Sequence, residues 1–253
     1  MNRELQKLEA KDSHGSSERK LMMNAIARLN EIAPVTARSS GKAPTARLAF
    51  VLDLTGSRSA SLDKARIATA SMFDAIKAFG TIAVKLIYFR GDECKSGRWE
   101  NDAAIVRAAM QRLTCETGFT QIGRALGAIL NEKEPLSGVV LIGDHCEEWP
   151  ASLADIAAAL KAKRIPVFVF HECDDDDRRA FRARSAFKGI AQNSGGVYCE
   201  FKPDSADALR ELLASVAAFG AAGVAGMKNV AQPRTVEARQ LQRFLLAGAP
   251  KDH

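Results

Sequence analysis

Five oxygen-bearing side chains stand in three short stretches, each beside an apolar run. They are Asp53, Thr55 and Ser57 in Asp53-Leu54-Thr55-Gly56-Ser57, Thr120 in Gly118-Phe119-Thr120-Gln121-Ile122, and Asp144 in Gly143-Asp144. Two carboxylates and three hydroxyls, with no His or Cys pair nearby, suit a hard divalent cation. Mg²⁺ is the expected ion, with Mn²⁺ or Ca²⁺ as alternatives. The hydroxyls of Thr55, Ser57 and Thr120 can bind such an ion directly, while Asp53 and Asp144 hold its waters and offset its charge. That set leaves the ion under-neutralised, so an open position attracts a carboxylate from another molecule. Singly, these residues read as turn and helix-cap residues; it is their joint order along the chain that points to a site.

Three neighbours are candidates for a partner-binding rim: Arg58, directly after Ser57 and able to hold an incoming acidic group; His145, beside Asp144; and Trp149. No ordered Ser/His/Asp or Cys/His pattern and no G-x-S-x-G elbow occurs, so no catalytic residues are expected and the chain is read as a non-enzyme. Asp174–Asp177 lacks the Gly and terminal Glu of a calcium loop and reads as a solvated loop before a helix. The five cysteines, Cys94, Cys115, Cys146, Cys173 and Cys199, are odd in number and widely spaced without a CxxC. They fit reduced thiols in the cytoplasm better than a disulfide framework.

The elements that must position these residues follow from an alternation of short apolar strands and amphipathic helices. Strands are expected at Leu48–Leu52, Thr81–Phe89, Gly138–Ile142, Pro166–Phe170 and Val197–Phe201, with a short edge strand within 90–100. Helices are expected at Ser59–Phe79, Asn101–Leu113, Thr120–Leu130, Leu153–Lys163, Arg178–Gln192 and Ser205–Phe219. This predicts a doubly wound α/β fold: a mainly parallel six-stranded sheet with helices on both faces. Ligands of such sheets sit beyond the carboxyl ends of the strands, where the winding reverses. The domain is placed at 47–219. Residues 1–46 read as an amphipathic helix and a linker, and 220–253 as a flexible basic tail with a short helix.

The net charge of +6 belongs to the flanks. Residues 1–47 carry nine Lys/Arg against five Asp/Glu, and 228–253 carry five against two, which leaves 48–227 at −1. A neutral folded face does not describe a nucleic-acid-binding domain. The N-terminus has no apolar core of a signal peptide, and Leu212–Met227 is too short and Gly-rich for a membrane span. Neither a nucleic-acid nor a membrane partner is expected. The oligomeric state is not legible.

The runs VLDLTGS, GFTQIGRAL, VVLIGD, IPVFVF and IAQNSGGVYCEF, in this order over 47–219, resemble von Willebrand factor type A (vWA) domains of the bacterial intracellular type. Asp53-x-Thr55-x-Ser57, Thr120 and Asp144 resemble their metal-ion-dependent adhesion site. The resemblance implies a Rossmann-like sheet whose short strand after Arg90 runs antiparallel at an edge. It also implies metal-facing Thr55, Ser57 and Thr120, mostly water-mediated Asp53 and Asp144, and a module that captures an Asp or Glu of a protein partner, in an ATPase- or chaperone-linked assembly. Gly143 and His145 flank Asp144 where relatives often carry Thr or Ser and then Gly. A haloacid-dehalogenase-like phosphatase with Asp53 as nucleophile is the enzymatic alternative, but Thr55 stands where that chemistry needs a second Asp. A metal-free scaffold of the same fold is the other alternative.

Overall fold

The computed structural model describes residues 46–60, 62–63, 82–173, 180–202, 205–228, 230 and 232–247. The expected N-terminal helix and linker, most of the helix at 59–79, and Asp174–Asp177 lie outside the described residues.

Six strands form one sheet: β1 (Ala46–Asp53), β2 (Ile82–Arg90), β3 (Glu93–Glu100), β4 (Gly138–Gly143), β5 (Val167–Glu172) and β6 (Tyr198–Phe201). Their order is β3-β2-β1-β4-β5-β6. Every pair is parallel except β2–β3, which is antiparallel at the edge. β4 is an apolar run buried throughout, and β1 and β5 are apolar and buried up to their polar ends, with Arg47 half-buried, as a sheet covered on both faces requires. The period of two sends Leu48, Phe50 and Leu52 into one core and Ala49 and Val51 into the other.

The helices are α1 (Ala103–Gln111), α2 (Ile122–Leu130), α3 (Pro150–Ala162), α4 (Ala180–Ser194), α5 (Ala206–Lys228) and α6 (Val236–Ala247). α2, α3 and α4 cover one face through Leu126, Leu160 and Phe187. α1, α5 and α6 cover the other through Met110, Leu212, Leu241 and their neighbours. Each large apolar side chain so buried contributes roughly 1.5–3 kcal/mol, which holds the strand ends rigid beneath the loops.

The C-terminal region differs from expectation. The helix expected to end at Phe219 continues to Lys228 and breaks from helical geometry at Ala222 and Gly223, where Gly223 takes φ 57°. Then α6 buries Ala238, Leu241 and Leu245 in the first core. Its polar exposed face masks this apolar stripe in the composition of the flank.

The winding reverses at β1, which has β2 on one side and β4 on the other. Leu52 pairs with Ile142, so Asp53 and Asp144 leave the sheet side by side at this switch point. The loop at 114–121 is held over the same end. Glu116 N–H donates to the Leu54 carbonyl (3.0 Å), and Gly118 rests on the β2–β3 turn. A Cβ at Gly118 would lie 2.5 Å from Gly91 Cα, so two backbones touch where any side chain would part them. Gly91 itself has φ 47°, in the left-handed region that favours glycine.

Candidate metal centre

Asp53, Thr55, Ser57 and Asp144 form one connected group. Asp53 is 2% exposed. Its Oδ1 accepts hydrogen bonds from Thr55 N–H (2.8 Å) and Thr55 Oγ1 (2.6 Å), and Thr55 Oγ1 lies 3.2 Å from Ser57 Oγ. Ser57 in turn hydrogen-bonds the Asp144 carboxylate. A Cβ at Gly143 would stand 3.3 Å from the Phe187 ring, which would have to give by a few tenths of an ångström, and in ordinary contact, 3.5 Å, with Asp53 Oδ2.

Burial pushes Asp53 up to about 6, with the Asp144 charge adding to the rise and the Thr55 hydrogen bonds opposing it. Burial would raise Asp144 as well, but hydrogen bonds from His145 and Ser57 and the charge of Arg58 hold it below the ordinary value. His145 Nδ1 lies 2.9 Å from Asp144 Oδ2. The other two oxygens, Asp53 Oδ2 and Asp144 Oδ1, are out of contact with solvent and have no hydrogen-bond partner among the described residues. Two orphaned carboxylate oxygens beside hydroxyls are an arrangement that a hard cation would satisfy.

Thr120 is brought to this rim by a different route. Its N–H donates to Glu147 Oε2 (3.0 Å), and its Oγ1 accepts from Glu147 N–H (3.1 Å). This fastens it to the loop that begins at Asp144. Glu148, the next residue, caps α2 by accepting from the N–H groups of Ile122 and Gly123. Burial pushes Glu148 up to about 7 despite those bonds. Sequence reasoning passed over Glu147. The only signal was a pair of acids shortly after an apolar strand, and nothing local shows that they reach across to α2.

Of the three rim candidates, Arg58 is placed differently from expectation. It is 3% exposed and forms an ion pair with Glu172 at the end of β5. An unpaired guanidinium at that depth would be prohibitive, so it lies inward, near Asp53 and Asp144 rather than on the surface. His145 is half-buried, and Trp149 is 63% exposed at the start of α3. Phe119, beside Thr120 and not singled out in the sequence, is 76% exposed.

Behind Asp144, His171 is fully buried in β5. Its Nε2 lies 3.1 Å from the Asp144 carbonyl, and its Nδ1 lies 2.7 Å from Tyr198 Oη. Burial pushes this imidazole down to about 4. All five cysteines are thiols.

No protein-family model matches the sequence, and no curated protein matches it. Solved structures do match in fold. An aerotolerance-related membrane protein from Bacteroides fragilis aligns at TM-score 0.54 and 18% identity, over 68% of this chain and 98% of that one. The VWA domain of SpRpn10 aligns at TM-score 0.50 and 12% identity, over 68% and 94%. The proximal thread matrix protein of the mussel byssus, with zinc in its adhesion-site motif, aligns at TM-score 0.50 and 17% identity, over 69% and 45%. With the six-stranded sheet and its antiparallel edge, these similarities show a von Willebrand factor type A-like fold.

Proposed function

We propose that the chain is a metal-dependent protein-interaction module. The observation that carries this reading is the pair of buried oxygens, Asp53 Oδ2 and Asp144 Oδ1, which have no hydrogen-bond partner among the described residues and lie next to the Thr55 and Ser57 hydroxyls. Asp53, Thr55, Ser57, Thr120 and Asp144 would hold Mg²⁺, with Mn²⁺ or Ca²⁺ able to substitute. When bound, the cation supplies a Lewis-acidic position that an Asp or Glu of a protein partner completes. Arg58 is buried and paired, so it tunes the charge at the site and leaves the rim contacts to His145 and Trp149. Local charge favours a cation: among the described residues, Asp53, Asp144 and Glu172 are set against the Arg58 guanidinium and the His145 ring.

The unit is taken as 47–219, with the flanks offering secondary contacts. The vWA-like neighbours and the absence of a nucleophile–base pair in the sequence favour a binding role over catalysis. Among the described residues no helix is long and apolar enough to cross a membrane. We place the protein in the cytoplasm on its five reduced thiols.

Titration calorimetry with Mg²⁺ tests the centre. The wild type is expected to bind at millimolar metal or below, and Asp53→Ala and Thr120→Ala to lose that heat. No binding by the wild type, or unchanged binding in both variants, overturns the reading. Affinity capture with and without chelator then tests the partner: proteins lost both with chelator and in Asp53→Ala are those held through the metal.

A further inference from the structure

Beyond the adhesion-type centre, we infer that His171, Cys173 and Glu200 form a second metal site of softer character, suited to Zn²⁺. A ring nitrogen of His171, the Cys173 sulfur and a Glu200 carboxylate oxygen lie within 4.8 Å of one another. Zn²⁺ binds these three atom types at about 2.0–2.3 Å, so modest side-chain rotation closes the set around one ion. A thiolate and a carboxylate balance its two charges, and a water completes four-coordination. His171 is fully buried, while Cys173 and Glu200 are half-buried, so the site opens toward the surface on their side.

The hydrogen bonding around His171 holds its ring in the orientation a metal ligand needs. The Asp144 carbonyl can only accept, so His171 Nε2–H donates to it, and Nδ1 is the nitrogen turned toward Tyr198 and Glu200. A metal-binding imidazole is oriented in the same way, its other N–H fixed on a carbonyl. Nδ1 faces Tyr198 Oη, which also lies 2.6 Å from Glu200 Oε1. A cation between Nδ1 and Glu200 would replace these hydrogen bonds and bind the ring nitrogen and the carboxylate together. Here Arg184 supplies positive charge to the same groups: its Nε donates to Glu200 Oε1 (2.6 Å), and it hydrogen-bonds Cys173. Arg184 is long and a third exposed, so it can leave for solvent when an ion enters.

The full-length chain titrated with Co²⁺ tests this through sulfur-to-cobalt charge-transfer absorption, with Zn²⁺ as competitor. The wild type is expected to show the band, and Zn²⁺ to abolish it. Cys173→Ser should remove it, and Glu200→Gln should weaken binding at least about tenfold, the loss typical even of an outer-shell partner. Arg184→Ala should tighten binding, a result that a purely structural ion pair would not give. Cys115→Ser and Asp53→Ala should keep the band. On the unaltered protein, Zn²⁺ should protect Cys173 but not Cys115 from iodoacetamide, a readout that holds even if Cys173→Ser fails to fold. The inference is overturned if no thiolate band appears in wild type and Arg184→Ala, if the band survives Cys173→Ser, or if Zn²⁺ leaves Cys173 unprotected. It is also overturned if the band disappears in Asp53→Ala, since the ion would then sit at the first centre. Failure of Mg²⁺ titration with the thiolate band intact would sink the proposed function alone.

Discussion

At the residue scale, the balance at Asp53 decides how the centre responds to charge removal. Its rise from the ordinary 3.8 to about 6 means that burial and Asp144 outweigh the Thr55 hydrogen bonds. That corresponds to roughly 3 kcal/mol against the charged form. Asp53→Asn keeps the acceptor for Thr55 and drops the charge, so the metal-free protein should gain about 1–2 kcal/mol after local relaxation. Added Mg²⁺ should raise the melting temperature of the wild type and leave that of the variant unchanged, as thermal melts would show. Thiol chemistry gives a second expectation. Burial foremost pushes Cys94 up to about 11 and Cys146 and Cys199 up to about 12, so these three hold almost no thiolate at pH 8. Mass spectrometry after native alkylation should find label at half-buried Cys115 and Cys173, with the other three reacting only once the protein unfolds. The closeness of Asp53, Thr55, Ser57 and Asp144 was legible from their order along the chain, since each follows the end of an apolar strand at the switch point. The inward turn of Arg58 was not, since its partner Glu172 lies 114 residues away and nothing in Ser57-Arg58-Ser59 announces it.

At the element scale, α6 is tied to α5 by one carboxylate. Glu211 accepts hydrogen bonds from Arg234 N–H (3.1 Å), Thr235 N–H (2.9 Å) and Thr235 Oγ1 (2.7 Å), and so caps the start of α6 from outside. Partial burial alone would raise this carboxyl, but the bonds from Thr235 and Arg234 outweigh it and hold the group below its ordinary 4.5. A depressed folded-state value means that the stabilisation is complete above pH 4.5 and fades as pH falls through the lower folded value. Glu211→Ala should cost about 1–2 kcal/mol and speed amide exchange in α6, and the gap between variant and wild type should close on acidification below pH 4.5. An equal gap at all pH values would contradict the role. The helices on the sheet were legible from their 3.6-residue stripes. The packing of α6 was not, because three buried residues, Ala238, Leu241 and Leu245, are too few to stand out among Arg239, Arg243 and exposed Phe244.

At the scale of the whole molecule, the doubly wound sheet was readable because short apolar runs such as Gly138–Ile142 alternate with amphipathic helices, the pattern of strands covered on both faces. The antiparallel edge was not derivable from periodicity; it came with the family resemblance, and the β2–β3 pairing shows it. The switch point at β1 then explains why residues as distant as 53 and 144 converge: adjacent parallel strands end level, and their loops begin together. The contact of Gly91 with Gly118 has a mechanical result. There the β2–β3 turn and the stretch leading to Thr120 meet main chain to main chain, and the Gln121 amide also donates to the Gly91 and Glu93 carbonyls. A displacement of that turn at the sheet's outer edge would therefore be passed directly to the stretch that carries the Thr120 hydroxyl.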